Sequence, residues 1–187
     1  YTMNNQAELR SRFVELYGKH SDDFVVKGLF SFYLEDLVRP YQTAMFPERI
    51  TSTMFTEHNP HLIPGTRKWH PKRGEKINGA LNPLHYLTPC KTKAYTGLLA
   101  KLATRISAST KNAPASRLKE IYQRIFFDEV QDLVGWDFDV IKALSKAMHN
   151  SICCVGDFRQ TIYTTTFGHK APETPEQKIQ YFKDLNF

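Results

Sequence analysis

The chain has 187 residues, a net charge of +6 and 41% hydrophobic residues, a composition typical of one globular domain or slightly more. No apolar run approaches the ~18 residues of a transmembrane helix and no signal peptide is visible, so we expect no membrane-spanning segment and no membrane partner. Cys90, Cys153 and Cys154 cannot form a disulfide framework, which favours a reducing, cytoplasmic location.

The positive charge is concentrated in the middle of the chain. Residues 46–123 hold 13 Lys and Arg against 4 Asp and Glu, whereas residues 1–45 and 124–187 are both slightly acidic. Such an asymmetry favours a polyanionic partner, with nucleic acid ahead of a membrane surface. The alternative is a solvated basic face that has no partner.

The spacing of apolar residues predicts the first elements of the chain. We expect a helix over residues 5–17 and a second helix over residues 29–38. Pro40 should stop the second helix, because the residue before a proline avoids the helical region. Residues 24–26, between the two helices, predict a short buried strand.

Residues 46–90 predict a loop-rich insertion between residues 1–45 and 91–187 of one domain, since they contain six of the ten prolines and three glycines. The densest basic patch of the chain lies in this segment. Its members are Arg67, Lys68, Trp69, His70, Lys72, Arg73 and Lys76. Cations beside an aromatic ring suit contacts to phosphates and stacking on bases, and the alternative is a solvated polar loop.

Helical spacing returns at residues 92–107 and 115–123. A strand, a helix and a second strand are then predicted over residues 124–127, 137–148 and 151–155. This order describes a βαβ unit, so we expect its two strands to be parallel and buried on both faces.

Acidic and polar residues follow both of these strands, at the sheet edge where ligands of parallel sheets bind. The residues expected to meet there are Asp128, Glu129, Gly156, Asp157 and Gln160. Two adjacent carboxylates suit nucleotide hydrolysis, since the first can hold Mg²⁺ and the second can orient and deprotonate a water molecule. The alternative is a solvated acidic turn after a strand.

Two motifs in this part of the chain resemble those of superfamily 1A helicases of the UvrD/Rep type. The stretch DEVQDL at residues 128–133 resembles the DExQD signature, and GDFRQTIY at residues 156–163 resembles the family's next motif, GDxxQSIY. Residues 1–9 are similar to motif Ia, and residues 30–32 stand where the family has an element that heads a helix. The four elements follow one another in the family's order.

The resemblance implies an α/β fold, the RecA-like parallel sheet of P-loop NTPases. Residues 1–45 and 91–187 would belong to helicase subdomain 1A, and residues 46–90 would be a 1B-like insertion. The resemblance also implies a motor that uses ATP and Mg²⁺ to move along single-stranded DNA or to unwind partly duplex DNA. It does not indicate any protein partner.

The resemblance assigns roles to four residues on the nucleotide side. Asp128 would bind the Mg²⁺ of ATP, and Glu129 would be the general base for the hydrolytic water. Gln131 would lie close to the nucleotide and help link it to movement along the strand. Gln160 would sense the γ-phosphate.

On the DNA side, the resemblance places Tyr1, Thr2 and Tyr163 near the single strand. Residues 164–167 depart from the family, which has an aromatic residue, an arginine and a glycine after the tyrosine. This departure puts the usual base stacking and the coupling role of that arginine in doubt.

The sequence also lacks the lysine-containing phosphate loop of the family, GxxxxGK[ST]. The one Gly-Lys pair, Gly18-Lys19, is followed by a histidine. Because the family's loop lies upstream of motif Ia, we expect this chain to be a fragment that has no ATPase activity by itself. Two alternatives stay open: a nucleic-acid-binding scaffold that hydrolyses no ATP, and the helicase subunit of a nuclease or defence complex.

Overall fold

The computed structural model describes residues 3–19, 23–160 and 170–185. The α-helices in this part of the chain are α1 (Met3–Tyr17), α2 (Leu29–Phe32), α3 (Pro83–Tyr86), α4 (Thr96–Ser109), α5 (Ala113–Ile121), α6 (Trp136–Met148) and α7 (Pro175–Asp184). The strands are β1 (Ser52–Met54), β2 (Lys76–Ile77), β3 (Ala80–Leu81), β4 (Lys93–Tyr95), β5 (Ile125–Phe127) and β6 (Ile152–Cys154). None of the described helices is both long enough and apolar enough to cross a bilayer.

The N-terminal elements confirm one prediction and correct two. Helix α1 confirms the helix expected over residues 5–17. Residues 24–26 form no strand, because a short apolar run becomes a strand only where another segment supplies backbone hydrogen bonds.

The second helix does not end before Pro40. Helix α2 continues as a π-helical segment, Tyr33–Val38, and then as a 3-10 segment, Arg39–Ala44. Pro40 lies in the first turn of the 3-10 segment, and that segment uses no N–H donor at this position. The helical path therefore passes the proline by changing its winding.

Within the described residues, the strands pair into three sheets of two strands each. β1 is parallel to β4, β2 is antiparallel to β3, and β5 is parallel to β6 with Phe127 opposite Cys154. The sequence predicts a helix from residue 92, whereas residues 93–95 form β4 and helix α4 begins only at Thr96. Helix α5 confirms the short helix expected over residues 115–123, two residues earlier in the chain.

The predicted βαβ unit is present, with β5 and β6 parallel and α6 between them in the chain. The expectation that both faces of these strands are buried is wrong. Phe127 and Ile152 are buried, whereas Phe126 is 63% exposed and Cys153 is exposed. Successive residues of a strand point to opposite faces, and the described residues cover only one face of this sheet.

The hydrophobic core lies between α4, α6 and the Tyr33–Val38 segment. Leu99 and Ile106 of α4 and Ile141 of α6 are fully buried there. A polar contact crosses the same core, since the hydroxyl of Tyr33 donates to Asp137 Oδ1 at 3.0 Å. This contact connects the N-terminal helical region to the start of α6.

The basic segment, residues 46–90, is attached to the same core. Phe46, Ile50, Tyr86 and Leu87 are buried within it, and β1 of this segment pairs with β4. The division of the chain into residues 1–45 with 91–187, and an insertion of residues 46–90, stays a prediction.

Candidate functional site

The loops that follow β5 and β6 lie side by side. Val155 N–H donates to Phe127 O at 2.8 Å, and Val130 N–H donates to Val155 O at 3.1 Å. These two bonds extend the pairing of the strands beyond their ends. They bring Asp128 and Glu129, directly after β5, next to the Gly156-Asp157 pair after β6.

The two carboxylates after β5 differ in conformation and exposure. Asp128 is exposed, whereas Glu129 is half-buried and has left-handed backbone angles, φ 53° and ψ 41°. The Glu129 N–H donates to Asp128 Oδ1 at 3.0 Å, and Val130–Asp132 follow as a 3-10 turn. A non-glycine residue in this conformation costs about 1 kcal/mol or more, and such residues cluster at functional sites.

Gln131 connects the two loops. Only 2% of the Gln131 residue is exposed to solvent. The amide nitrogen Nε2 donates to Glu129 Oε2, and the amide oxygen Oε1 accepts the N–H of Asp157 at 3.1 Å. One neutral side chain thus holds the carboxylate of the first loop and the backbone of the second.

Gly156 is required by the closeness of these loops. A Cβ atom at this position would lie 2.3 Å from Gln131 Oε1 and 2.9 Å from Val130 N. Glycine has no Cβ, so the backbone after β6 can approach the bridging amide.

Asp157 gathers the remaining polar groups of the second loop. Arg159 Nε donates to its Oδ1 at 2.9 Å, and Gln160 Nε2 donates to its Oδ2 at 3.2 Å. The hydrogen bonds from Arg159 lower the pKa of the Asp157 carboxyl to about 2. The carboxylate is therefore ionised at neutral pH and holds the Gln160 amide beside the loop after β5.

The four residues predicted for the nucleotide side are joined by this network. Asp128 contacts the backbone of Glu129, Gln131 contacts the carboxylate of Glu129, and Gln160 reaches Gln131 through Asp157. The hydrogen bonds place on one sheet edge residues that are up to 32 positions apart in the chain.

The donor chemistry at this edge fits a magnesium ion. Mg²⁺ usually takes one or two carboxylates and completes its shell with water and phosphate oxygens. Asp128 offers an exposed carboxylate directly at the end of a strand. Among the described residues there is no group of three or more His, Cys, Asp or Glu side chains that could hold a metal without such outside ligands.

The predicted basic patch is divided by the structure. Arg67, Lys68 and Lys72 are exposed, and the Trp69 ring is 55% exposed while one side of it lies 5.0 Å from the ring of His61. These four residues form one accessible surface, which we call the Trp69 surface.

Arg73 does not share this accessibility. Its Nη1 donates to the carbonyl oxygens of Leu84 and Leu87, and its Nη2 donates to the Tyr95 hydroxyl at 3.2 Å. The guanidinium also lies over the Tyr95 ring, 5.4 Å from its centroid. Arg73 therefore connects the basic segment to β4, and its charge is used inside the protein.

Comparison with known families identifies the chain. The family model of the UvrD/REP helicase N-terminal domain matches residues 7–168, which is most of the sequence. The chain belongs to this family. Searches of curated proteins and of solved structures find no match. The family implies a RecA-like α/β fold, and the parallel β5–β6 pair with α6 is consistent with it.

In this helicase domain, the motifs mark the residues predicted for the nucleotide side, but they do not mark the groups that hold those residues in place. The glycine after β6 was part of a motif, but nothing in the sequence shows that it faces the Gln131 amide. Lys178, which contacts the backbone of Gln131 from α7, gave no signal at all. Tyr1, Thr2 and Tyr163, predicted to lie near DNA, are outside the described residues.

Proposed function

We propose that this helicase domain is part of a motor that hydrolyses ATP to move along single-stranded DNA or to unwind partly duplex DNA. The observation that supports this most is the Gln131 bridge, which joins the carboxylate of Glu129 to the loop that carries Gln160. A solvated acidic turn has no need of a buried amide that links it to a second loop.

Glu129 is the proposed general base. Its Oε2 accepts from Gln131 Nε2, which orients the carboxylate to accept a proton from an attacking water molecule. Asp128 is the proposed ligand of Mg²⁺, which when bound neutralises charge on the phosphate oxygens of ATP. The amide of Gln160 is a neutral donor suited to a γ-phosphate oxygen.

The same bridge offers a route for coupling. Gln131 contacts the side chain of Glu129 and the backbone of Asp157, so a shift of the loop after β6 must move the general base or break a hydrogen bond. We propose that binding of the γ-phosphate by Gln160 is transmitted to Glu129 in this way.

The Trp69 surface is the proposed DNA contact of the basic segment. Arg67, Lys68 and Lys72 would bind phosphates, and the exposed ring of Trp69 would stack on a base. We propose that residues 46–90 act as a 1B-like insertion in subdomain 1A. Tyr1, Thr2 and Tyr163 would contact the strand from the domain itself, and the three free cysteines support a cytoplasmic location.

A Glu129→Gln substitution in the complete protein tests the motor assignment. ATP binding should be retained, while steady-state hydrolysis should fall by about 10²-fold or more, as for loss of a general base. Asp128→Ala should weaken Mg²⁺-dependent nucleotide binding as well. Glu120→Gln, an exposed carboxylate at the end of α5, is the matched control and should leave turnover unchanged. Normal turnover of the Glu129→Gln protein would refute the assignment.

A nucleic-acid-binding scaffold without ATPase activity is the second candidate. The observation in its favour is that residues 164–167 depart from the family pattern of an aromatic residue, an arginine and a glycine after the tyrosine. We expect the 187-residue chain by itself to bind DNA in a salt-sensitive manner and to hydrolyse no ATP. If the complete protein binds DNA and also hydrolyses no ATP, the scaffold is the correct description.

A further inference from the structure

A buried lysine lies directly behind the loop that carries the candidate general base. Lys178 of α7 has no solvent-exposed surface, and its Nζ donates to the backbone carbonyl of Gln131 at 2.5 Å. Burying an ammonium group is costly unless it is hydrogen-bonded and paired with charge. The burial of this ammonium group therefore needs an explanation other than packing alone.

The charged groups around the ammonium are acidic. Asp132 and Asp137 face it, and their attraction opposes the burial that lowers the pKa of Lys178. Asp137 is itself fixed, since its Oδ1 accepts from the Tyr33 hydroxyl at 3.0 Å and its Oδ2 from Val134 N–H at 3.1 Å. The ammonium thus connects α7 to the turn that follows Glu129.

Helix α7 contacts the second loop as well. The Phe182 ring, one turn after Lys178, lies 6.0 Å from the ring of Phe158, two residues before Gln160. Tyr181 anchors the helix to α6, because its hydroxyl donates to Phe138 O at 2.8 Å. One helix therefore contacts both loops of the candidate site.

We propose that Lys178 is a positioning residue of the nucleotide site. By holding the backbone carbonyl of Gln131, it keeps the Gln131 side chain aligned between Glu129 Oε2 and the Asp157 N–H. The expected effect of Lys178 on catalysis rests on the proposed ATPase function. The expected effect of Lys178 on the alignment of the two loops is independent of that function.

Lys178→Met is the decisive variant, because methionine has nearly the same length and packs in apolar surroundings but carries no charge and no donor. Leu118→Ala is the control, since Leu118 is fully buried in α5, which packs against α6 and the Tyr33–Val38 segment. It lowers stability without touching either loop. Hydrogen exchange of the Asp157 amide, measured by NMR in the complete protein, reports the bridge directly.

We expect the Asp157 amide to exchange about tenfold faster in Lys178→Met than in a Leu118→Ala protein of equal unfolding free energy. Lys178→Gln, which keeps a shorter donor, should show a smaller increase, and it provides the same comparison if the methionine variant does not fold. Exchange that rises no more in either variant than in the control would overturn the proposal.

The turnover rate tests the role of Lys178 in catalysis separately from its role in aligning the two loops. In a protein that hydrolyses ATP, Lys178→Met should lower kcat about tenfold and change KM for ATP by less than about twofold, because the group acts on the base rather than on binding. An unchanged kcat alongside faster Asp157 exchange would overturn the catalytic part. If the unsubstituted protein hydrolyses no ATP, the proposed function fails while the exchange experiment still decides the role of Lys178.

Discussion

The loops after β5 and β6 and the basic segment, residues 46–90, are both rich in charge, yet they use it in opposite ways. At the sheet edge, the neutral amide of Gln131 links the two loops, and the Asp128 carboxylate stays exposed. In the basic segment, several charged side chains form ion pairs and hydrogen bonds within the protein. The comparison shows that the number of charges in a segment does not indicate how many can reach a ligand.

Glu75 shows how the basic segment uses its charges. Its carboxylate accepts from Arg105 Nε at 2.7 Å, from Lys101 Nζ at 2.8 Å and from the Tyr86 hydroxyl at 2.7 Å. Burial opposes ionisation, but these hydrogen bonds lower the pKa of Glu75 to about 2. Lys101 and Arg105 belong to α4, so the cluster joins the segment to the core.

The sheet edge should be the region less tolerant of added volume. Gly156→Ala places a Cβ against Gln131 Oε1 and Val130 N, so we expect a loss of about 3 kcal/mol in unfolding free energy, measured by urea denaturation. Gly65→Ala is the matched change in the basic segment. Its Cβ meets no atom within 4 Å, and only its φ of 72° opposes the substitution, which should cost about 1 kcal/mol. Equal losses would contradict the comparison.

Arg67 and Arg73 of the basic segment should differ in the same assay. Arg73→Met leaves the Leu84 and Leu87 carbonyls without their donor, and we expect a loss of about 2–3 kcal/mol. Arg67→Met should change stability by less than about 0.5 kcal/mol, since Arg67 is exposed. A large loss at Arg67 would show that the Trp69 surface is also built from internal contacts.

Mild acid should loosen the basic segment. Burial lowers the pKa of His85 to about 4, and its neutral ring donates from Nδ1 to Arg73 O and accepts from Lys101 at Nε2, both at 2.9 Å. The unfolded state binds more protons below pH 6.5, so about 1–2 kcal/mol of stability should be lost between pH 6.5 and 4.

Thermal unfolding of His85→Gln across this range checks the titration. The variant should lose much of the pH dependence, and the remainder should include His61, whose pKa burial also lowers. His58→Gln, an exposed histidine in the same segment, should behave like the unsubstituted protein. An undiminished pH dependence in His85→Gln would assign the titration to other groups.

The smallest effect is expected for DNA binding by the exposed charges. Replacing Arg67, Lys68 and Lys72 together with glutamine should weaken binding to single-stranded DNA about fivefold near 0.15 M salt. The slope of log affinity against log salt should fall by about 2, since three phosphate contacts are lost. Lys119, Lys142 and Lys146 are exposed lysines outside the segment, and their triple substitution is the charge-matched control. Equal slopes for the two triple variants would show that the Trp69 surface is a solvated surface that makes no phosphate contacts.

Local pattern was sufficient to predict the elements around the sheet edge. Helix α6 and the parallel strands on either side of it follow from helical spacing and from two short apolar runs, and the motif residues follow from their positions after the strands. The burial of the sheet could not be predicted in this way. Phe126 and Phe127 are chemically identical, and only the packing of distant helices decides which of them is covered.

The supporting contacts of the site were beyond sequence reasoning for a similar reason. Lys178 lies in a polar helix whose sequence resembles that of a surface helix, and its burial results from a contact 47 residues away in the chain. Arg73 stands among exposed cations in the sequence, but it ends the 3-10 turn Pro71–Arg73 and donates to the carbonyls of Leu84 and Leu87. Long-range contacts of this kind produce no periodic pattern in the sequence.

The cysteines of the two regions differ in how readily they ionise. Hydrogen bonds from Thr88 and Thr92 lower the pKa of the exposed Cys90 thiol to about 7, whereas burial raises the pKa of Cys154 to about 12. Cys153 is exposed because neighbouring strand residues face opposite ways.

Thiolates are the form that reacts with maleimides, so a limited amount of reagent at neutral pH should modify Cys90 first and Cys153 second and leave Cys154 intact. A donor dye on Cys90 and an acceptor dye on Cys153 would then report, by energy transfer, the distance between the basic segment and the β5–β6 sheet. The two native cysteines thus provide labelling sites for measuring relative movement of these regions when nucleotide or DNA is added.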